Sequence, residues 1–358
     1  MNVNTYGIDG HKLHYHVSRV SDWLKGDVIY PVYMEISPSG ACNHRCVFCG
    51  VDYLGYQPRS IDAGILKERL SELSSLGLKS VMYCGEGEPL LHKDIAGIVN
   101  HTKKAGIDTA ITTNGVLLNE SLSEMILGDL EWIKISFNAG TEETYKKING
   151  AKDGDFNRVL KNLRDARKIK DANRYGVTIG LQMILLPENM EEVVPLARIA
   201  RDIGVDYLVV KPYSQNPQSL TVRYKGLTYD NLERLKGELE ECSANGFSAF
   251  LRVNALGKTR ENRKVYDRCL ALPFWAYIDS GGAVWGCLDY IGDERFYYGN
   301  IYESDFKSVW ESESRMKSLR LVECGFDITK CRSNCRMDEI NRYLWSLRHE
   351  PPPHVNFI

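Results

Sequence analysis

The sequence predicts an α/β protein, a partial TIM-like (β/α)6 barrel followed by a small C-terminal domain built from a β-hairpin and a helix. Three observations carry the prediction. Strand-like apolar runs alternate with amphipathic helical stretches six times between residues 32 and 211, which implies a parallel sheet with helices outside it. Six repeats fall short of the eight that close a barrel of this kind, so the barrel is expected to stay open. Past about residue 245 the alternation ends, and glycine-bounded short strands and closely spaced cysteines take over. The expected divisions are a helical extension over 1–28, the barrel over 29–245 and the C-terminal domain over 246–358.

Residues 11–25 space their apolar side chains as a helix does and stop at Gly26. The first strand, 32–36, follows Pro31 and ends at Ser37-Pro38-Ser39-Gly40. Further strands are expected at 79–84, 107–113, 131–137, 176–186 and 205–211, with helices near 63–76, 93–105, 119–127, 155–171 and 190–203. In the C-terminal part, 273–279 and 283–287 flank Gly281-Gly282 as a hairpin, and a last helix is expected at roughly 336–347. Pro351-Pro352-Pro353 reads as a short extended tail.

Lys and Arg number 45 against 47 Asp and Glu. That balance gives no electrostatic reason to expect nucleic acid or an anionic membrane as partner. No apolar run reaches the roughly 18 to 20 residues needed to span a bilayer, and Met1 to His16 carry no apolar signal region. A cytoplasmic location is therefore expected. Ten cysteines in such a setting point to metal or redox chemistry rather than disulfides, because cytosolic thiols stay reduced.

Cys42-Asn43-His44-Arg45-Cys46-Val47-Phe48-Cys49 places three thiols in the loop after the first strand. Thiolates are soft ligands that suit zinc or iron–sulfur clusters. Structural zinc wants four protein ligands, and here a fourth is missing unless His44 or Cys84 supplies it. Three ligands on a cluster leave one iron open to a small molecule. The Cys-x3-Cys-x2-Cys spacing, with Phe48 before the third cysteine, resembles the signature of the radical S-adenosylmethionine superfamily. The resemblance implies a [4Fe–4S] cluster on Cys42, Cys46 and Cys49 whose unique iron chelates S-adenosylmethionine, with Phe48 beside the cofactor.

Supporting motifs fall at the C-terminal ends of the expected strands, where parallel sheets place their sites. Gly85-Glu86-Gly87-Glu88-Pro89 resembles the Gly-Gly-Glu-Pro element that receives the cofactor's amino group. Carbonyls and a carboxylate suit an ammonium, and glycine permits close backbone approach. Glu86 stands where that element has its first glycine, which leaves open which carboxylate makes the contact. Thr112-Thr113-Asn114-Gly115 ends the third strand and Ser136-Phe137-Asn138 the fourth. Thr113, Asn114, Ser136, Asn138 and Gln182 are implied as further cofactor contacts.

Cys269, Cys287, Cys331 and Cys335 form a second group, with Cys-x12-Gly-x4-Cys spacing up to Cys287. It resembles the SPASM auxiliary-cluster extension or its shorter twitch form. The resemblance implies one auxiliary [4Fe–4S] cluster on these four residues, with Cys324 as a possible substitute for one of them and a zinc site as the alternative. Cys84 adjoins the cofactor segment, so its thiol is a candidate hydrogen-atom donor, with core packing as the plainer reading.

Superfamily membership leaves the substrate open. The resemblance implies hydrogen abstraction from a carbon, followed by oxidation to a ketone or by epimerisation. Only 41 residues precede Cys42, which leaves little room for a peptide-recognition domain. A sugar- or aminocyclitol-type small molecule is therefore expected, with peptide maturation as the alternative and a zinc-stabilised protein-binding scaffold as the reading from another class. An electron donor such as flavodoxin or ferredoxin is implied. Cavity-facing candidates are Lys211, Tyr213 and His92, with Arg59 and Gln215, and a phosphate or nucleotide handle on the substrate would suit Lys211 and Arg59.

Overall fold

The computed structural model describes residues 6–8, 10–244, 246–261 and 264–357, so residues 1–5 and 9 of the expected N-terminal extension lie outside it. The first helix, α1 (Val17–Lys25), ends at Gly26, whose φ of 89° supplies the left-handed C-cap. The barrel then runs β1 (Tyr33–Ile36), α2 (Ala63–Ser75), β2 (Ser80–Tyr83), α3 (Ile95–Lys104), β3 (Asp108–Thr113), α4 (Glu120–Ile126) and β4 (Trp132–Ser136). It continues through α5 (Glu142–Asn149), α6 (Asp155–Asn173), β5 (Thr178–Leu185), α7 (Val193–Ile203), β6 (Tyr207–Pro212), α8 (Glu233–Glu241), β7 (Ser248–Leu251) and α9 (Val253–Glu261). The C-terminal part holds β8 (Trp275–Ile278), β9 (Ala283–Trp285), β10 (Tyr297–Asn300), α10 (Phe306–Trp310), α11 (Glu313–Cys324) and α12 (Asp338–Arg348).

The strands form one open sheet in the order β10-β9-β8-β1-β2-β3-β4-β5-β6-β7. All pairings from β1 to β7 are parallel. Two features depart from the sequence reading. A seventh barrel strand, β7, pairs with β6 beyond the expected border at 245. Its four residues are too few to show a period. The hairpin also does not stand apart, because β8 pairs in parallel with β1, Tyr33 opposite Trp275 and Ile36 opposite Ile278. The C-terminal domain thus extends the barrel's sheet, and only the β8–β9 and β9–β10 pairings are antiparallel, so β9 alone runs against the other strands.

Strand alternation explains how the sheet serves both a core and a cavity. Met34, Ile36, Val81, Tyr83, Ile111, Ile133, Ile135, Leu181, Met183, Leu208 and Val210 join the large core under the helices. The intervening residues Tyr33, Met82, Thr112, Trp132, Lys134, Ser136, Gln182 and Lys211 line a cavity on the other face. Leu13, Val20 and Trp23 of the N-terminal segment pack with Leu270, Phe274 and Leu344, so α1 is joined to the C-terminal domain. No helix among the described residues is long and apolar enough to cross a membrane.

Candidate active site

The first cysteine loop is held from three sides. Arg45 N and Val47 N donate to the carbonyls of Asn149 and Ile148 at the end of α5, each at 2.9 Å. Glu88 N donates to Ala41 O at 2.8 Å. Asp52 accepts from Ser219 Oγ and the Leu220 and Thr221 amides, each at 2.8 Å, while Ser219 Oγ also donates to Cys49 O. Gly87 is required where the two loops meet, since a Cβ there would stand 2.2 Å from Ser39 O and 2.3 Å from Ala41 O. Cys42, Cys46 and Cys49 consequently face one cavity with Phe48, Gly85, Gly87 and Glu88.

The two carboxylates of the Gly-Glu-Gly-Glu-Pro turn part company. Glu88 lines the cavity. It accepts from Thr113 Oγ1 at 2.5 Å, Asn114 N at 2.8 Å and Leu90 N at 3.1 Å, and burial pushes its carboxyl upward while these bonds pull it down. Glu86 turns toward the hairpin instead, accepting from Ser280 N at 3.1 Å and from Ser280 Oγ, with Arg59 at 3.6 Å. The expectation of Glu86 as a cofactor contact is therefore corrected: its side chain braces β1 and β2 against the Ser280 turn. Arg59 belongs to the same brace, pairing with Asp279 at 3.4 Å, and does not line the cavity.

Thr113, Asn114, Ser136, Asn138 and Gln182 all line the cavity. Asn114 Nδ2 donates to Asn43 Oδ1 at 2.6 Å, tying the third strand's end to the cysteine loop. Asn138 Nδ2 donates to Asn149 Oδ1 at 3.1 Å and its Oδ1 accepts from Ile184 N at 2.9 Å. Asn149 Nδ2 is left buried with no partner among the described residues, beside Cys46, whose thiol donates to Asn149 Oδ1 at 3.7 Å. Sequence reasoning missed Asn149 because α5 was not expected.

Cys269, Cys287, Cys331 and Cys335 line the same cavity from the C-terminal side. Asn341 Oδ1 accepts from the Leu270 and Ala271 amides at 2.6 and 3.0 Å, and its Nδ2 donates to Cys269 Sγ at 3.6 Å. Behind it the buried Asp338 carboxylate gathers Lys258, Lys264, Arg342 and Tyr266. Cys324 is exposed and lines a separate surface hollow with Asp267 and Asp327, outside the cavity that the four share. Burial first, and for most of them neighbouring thiols and carboxylates, pushes the seven thiols of the two cysteine groups upward. Ionisation there needs a nearby cation such as a metal.

On the cavity floor, Cys84 Sγ donates to Glu35 Oε2 at 3.4 Å. The fully buried Glu35 also accepts from Tyr33 Oη at 3.0 Å and pairs with Arg336. Lys211 and Tyr213 line the cavity, Tyr213 donating to Gln215 Oε1 at 2.8 Å. Gln215 itself points away, donating to the Asn216 and Thr221 carbonyls. His92 is a second correction. It is buried outside the cavity, with Nε2 2.8 Å from Ile61 O and Nδ1 accepting from Asp94 N, and it fastens the turn after Pro89. Glu35, Lys134, Arg252, Arg332 and Arg336 were not singled out from the sequence; for Lys134, strand alternation with Ser136 was the available signal.

The cavity measures about 620 Å³, a size that suits a small molecule. The unpartnered Asn149 amide and the Glu88 carboxylate offer polar contacts for a cofactor beside the first thiols. Among the described residues no three His, Cys, Asp or Glu side chains converge tightly enough for a single metal ion; a four-iron cluster is a larger body and spaces its thiolates more widely.

Two family profiles match the chain, the radical SAM superfamily over residues 36–200 and an iron–sulfur cluster-binding domain, SPASM, over residues 269–336. The chain belongs to the radical SAM superfamily and carries a C-terminal SPASM domain. Its cofactors are accordingly S-adenosylmethionine, a [4Fe–4S] cluster and SPASM auxiliary iron–sulfur. Among curated relatives, the AdoMet-dependent heme synthase of Methanosarcina barkeri is 25% identical over 83% of this chain and 89% of its own. The GTP 3′,8-cyclase of Chlorobaculum tepidum is 27% identical over 58% of this chain and 65% of its own. Among solved structures, Streptococcus suis SuiB bound to precursor peptide SuiA aligns with a TM-score of 0.64 at 20% identity, covering 84% of this chain and 69% of that one. AdoMet-bound anSMEcpe aligns with a TM-score of 0.60 at 16% identity, covering 89% and 96%. At these identities the likeness is one of fold.

Proposed function

We propose that this radical SAM enzyme abstracts hydrogen from a carbohydrate- or aminocyclitol-type small molecule seated in the cavity, giving oxidation or epimerisation. The observation that carries the reading is the single cavity faced by both cysteine groups, with the polar inner face of the strands between them. Bound there, S-adenosylmethionine and the clusters supply a carbon-centred radical and a one-electron sink.

The chain's own residues divide the work. Cys42, Cys46 and Cys49 hold one [4Fe–4S] cluster; Cys269, Cys287, Cys331 and Cys335 hold the auxiliary one. Glu88, Gly85, Gly87, Thr113, Asn114, Ser136, Asn138 and Gln182, with Phe48 and Asn149, seat the cofactor. Lys211 and Tyr213 contact the substrate, and Cys84 stands where a thiol could return a hydrogen atom. Burial pushes Cys84 up to about 12, so at neutral pH it keeps the hydrogen that such a step needs. A flavodoxin- or ferredoxin-type donor supplies electrons.

The test is a panel of deuterated sugars, cyclitols and peptides with anaerobic, cluster-loaded enzyme. Deuterium should appear in 5′-deoxyadenosine with a sugar or cyclitol. Transfer from a peptide alone would replace the substrate class, and no transfer from any substrate that is turned over would end the hydrogen-abstraction reading. In D2O, an epimerised product should carry one solvent deuterium, absent from the Cys84→Ala product.

A further inference from the structure

Basic side chains outnumber acidic ones along the cavity: six Lys and Arg line it against the three carboxylates Glu88, Asp289 and Glu339. Lys134 on β4 and Lys211 on β6 both face it, on strands separated only by β5. Arg252, just after β7, Arg332 and Arg336 line it too. The carboxylates nearby are already engaged: Glu35 by Arg336, Tyr33 and Cys84, and Asp289 by Arg332 at 3.7 Å. Neither lysine has a hydrogen-bond acceptor or an ion-pair partner among the described residues; Lys134 has only the Trp132 ring, 5.4 Å from its Nζ.

Unpaired ammonium groups in a desolvated place are costly. Burial, above all, depresses both lysines; neighbouring cations add to it, Arg252 for Lys134, and Lys134, Arg332 and Arg252 for Lys211. Two such groups pointing into one cavity leave room for an anion that the protein does not itself supply. A single carboxylate would neutralise one of them, whereas a phosphate group carries about −1.5 to −2 at neutral pH. Arg252 adds a planar donor set suited to phosphate oxygens.

We propose that Lys134, Lys211 and Arg252 form an anion subsite on the cavity floor, and that the substrate is a phosphorylated small molecule, a phosphomonoester or diphosphate. The proposal rests on the reading that a small molecule occupies this cavity, but the two fail separately: deuterium transfer tests the reaction, and anion affinity tests the subsite.

The experiment is calorimetric titration of the cluster- and S-adenosylmethionine-loaded protein with inorganic phosphate, pyrophosphate and succinate, alongside Lys134→Met, Lys211→Met and the double variant. The wild type is expected to bind pyrophosphate or phosphate more tightly than succinate. The double variant should lose affinity by about tenfold or more, keep its S-adenosylmethionine Kd and melt no lower than the wild type, because it removes unpaired buried charges. Succinate binding as tightly as both phosphates, or no anion binding by the wild type, would overturn the proposal. So would anion affinity unchanged in the double variant. A parallel loss of S-adenosylmethionine affinity would mean that the lysines serve the cofactor's carboxylate, and a double variant that melts lower or fails to fold would mean that the protein itself satisfies them. Either result also overturns it.

Discussion

Glu86 and Glu88 stand two residues apart in one turn, yet they serve different neighbours. Glu88 takes three hydrogen bonds at the cavity wall, whereas Glu86 is spent on Ser280 and Arg59. Glu88→Gln presents an amide N–H to donors and is expected to cost about 1–3 kcal/mol and to weaken S-adenosylmethionine binding about tenfold. Glu86→Gln should lower the melting temperature comparably while leaving that affinity within about twofold. Thermal unfolding with equilibrium cofactor binding separates the two. Lys134 gives a pH signature. Burial, with Arg252 beside it, pushes its ammonium down to about 8, against which the Cys84 sulfur pulls weakly upward, while an unfolded lysine titrates near 10.4. Between those values the unfolded chain binds the extra proton, so this group's contribution to stability rises with pH across about 8 to 10.4. Lys134→Met should flatten that rise, measured as melting temperature against pH, and pyrophosphate affinity of the wild type should fall above about pH 8.

At the scale of elements, the site depends on loops being pressed together. The first cysteine loop closes on the turn after β2 at Gly87, where no Cβ fits beneath the Ser39 and Ala41 carbonyls. Gly87→Ala should destabilise the protein by about 1–3 kcal/mol through overpacking and lower the iron held by Cys42, Cys46 and Cys49. Iron content of the reconstituted variant and its melting curve check this, and retained cluster with unchanged melting would show that the loop yields freely. The expected barrel helices each have a counterpart in the structure. Those that escaped, α5, α8, α9, α10 and α11, are short or polar-faced, and α5 is the one that matters, since its last turn holds Arg45, Val47 and Asn149 in place. A cap residue, Thr141, was there to read, but an eight-residue helix offers little period.

Across the whole molecule, one sheet carries both cysteine groups to one cavity, because β8 extends the barrel through β1. Two four-iron clusters on separate residue sets predict about eight irons per chain, falling to about four in a Cys42/Cys46/Cys49→Ala variant and to about four in a Cys331/Cys335→Ala variant. Iron and sulfide assays read this directly. A single loss that empties both sites would mean that the groups are not independent. The sequence by itself determined the α/β class, the six alternating strands from β1 to β6, both cysteine groups and the strand-end motifs. Each of these is written in local spacing: a period along a strand, or a few residues between ligands. Only the tertiary structure decided that β7 joins the sheet and that the hairpin docks on β1. It also decided that Glu88 rather than Glu86 faces the cavity, that His92 and Arg59 do not, and that Lys134 and Lys211 face the same cavity. Those outcomes depend on which distant surfaces come together and on which face of a turn is left open after they do. Residue spacing along the chain does not encode that.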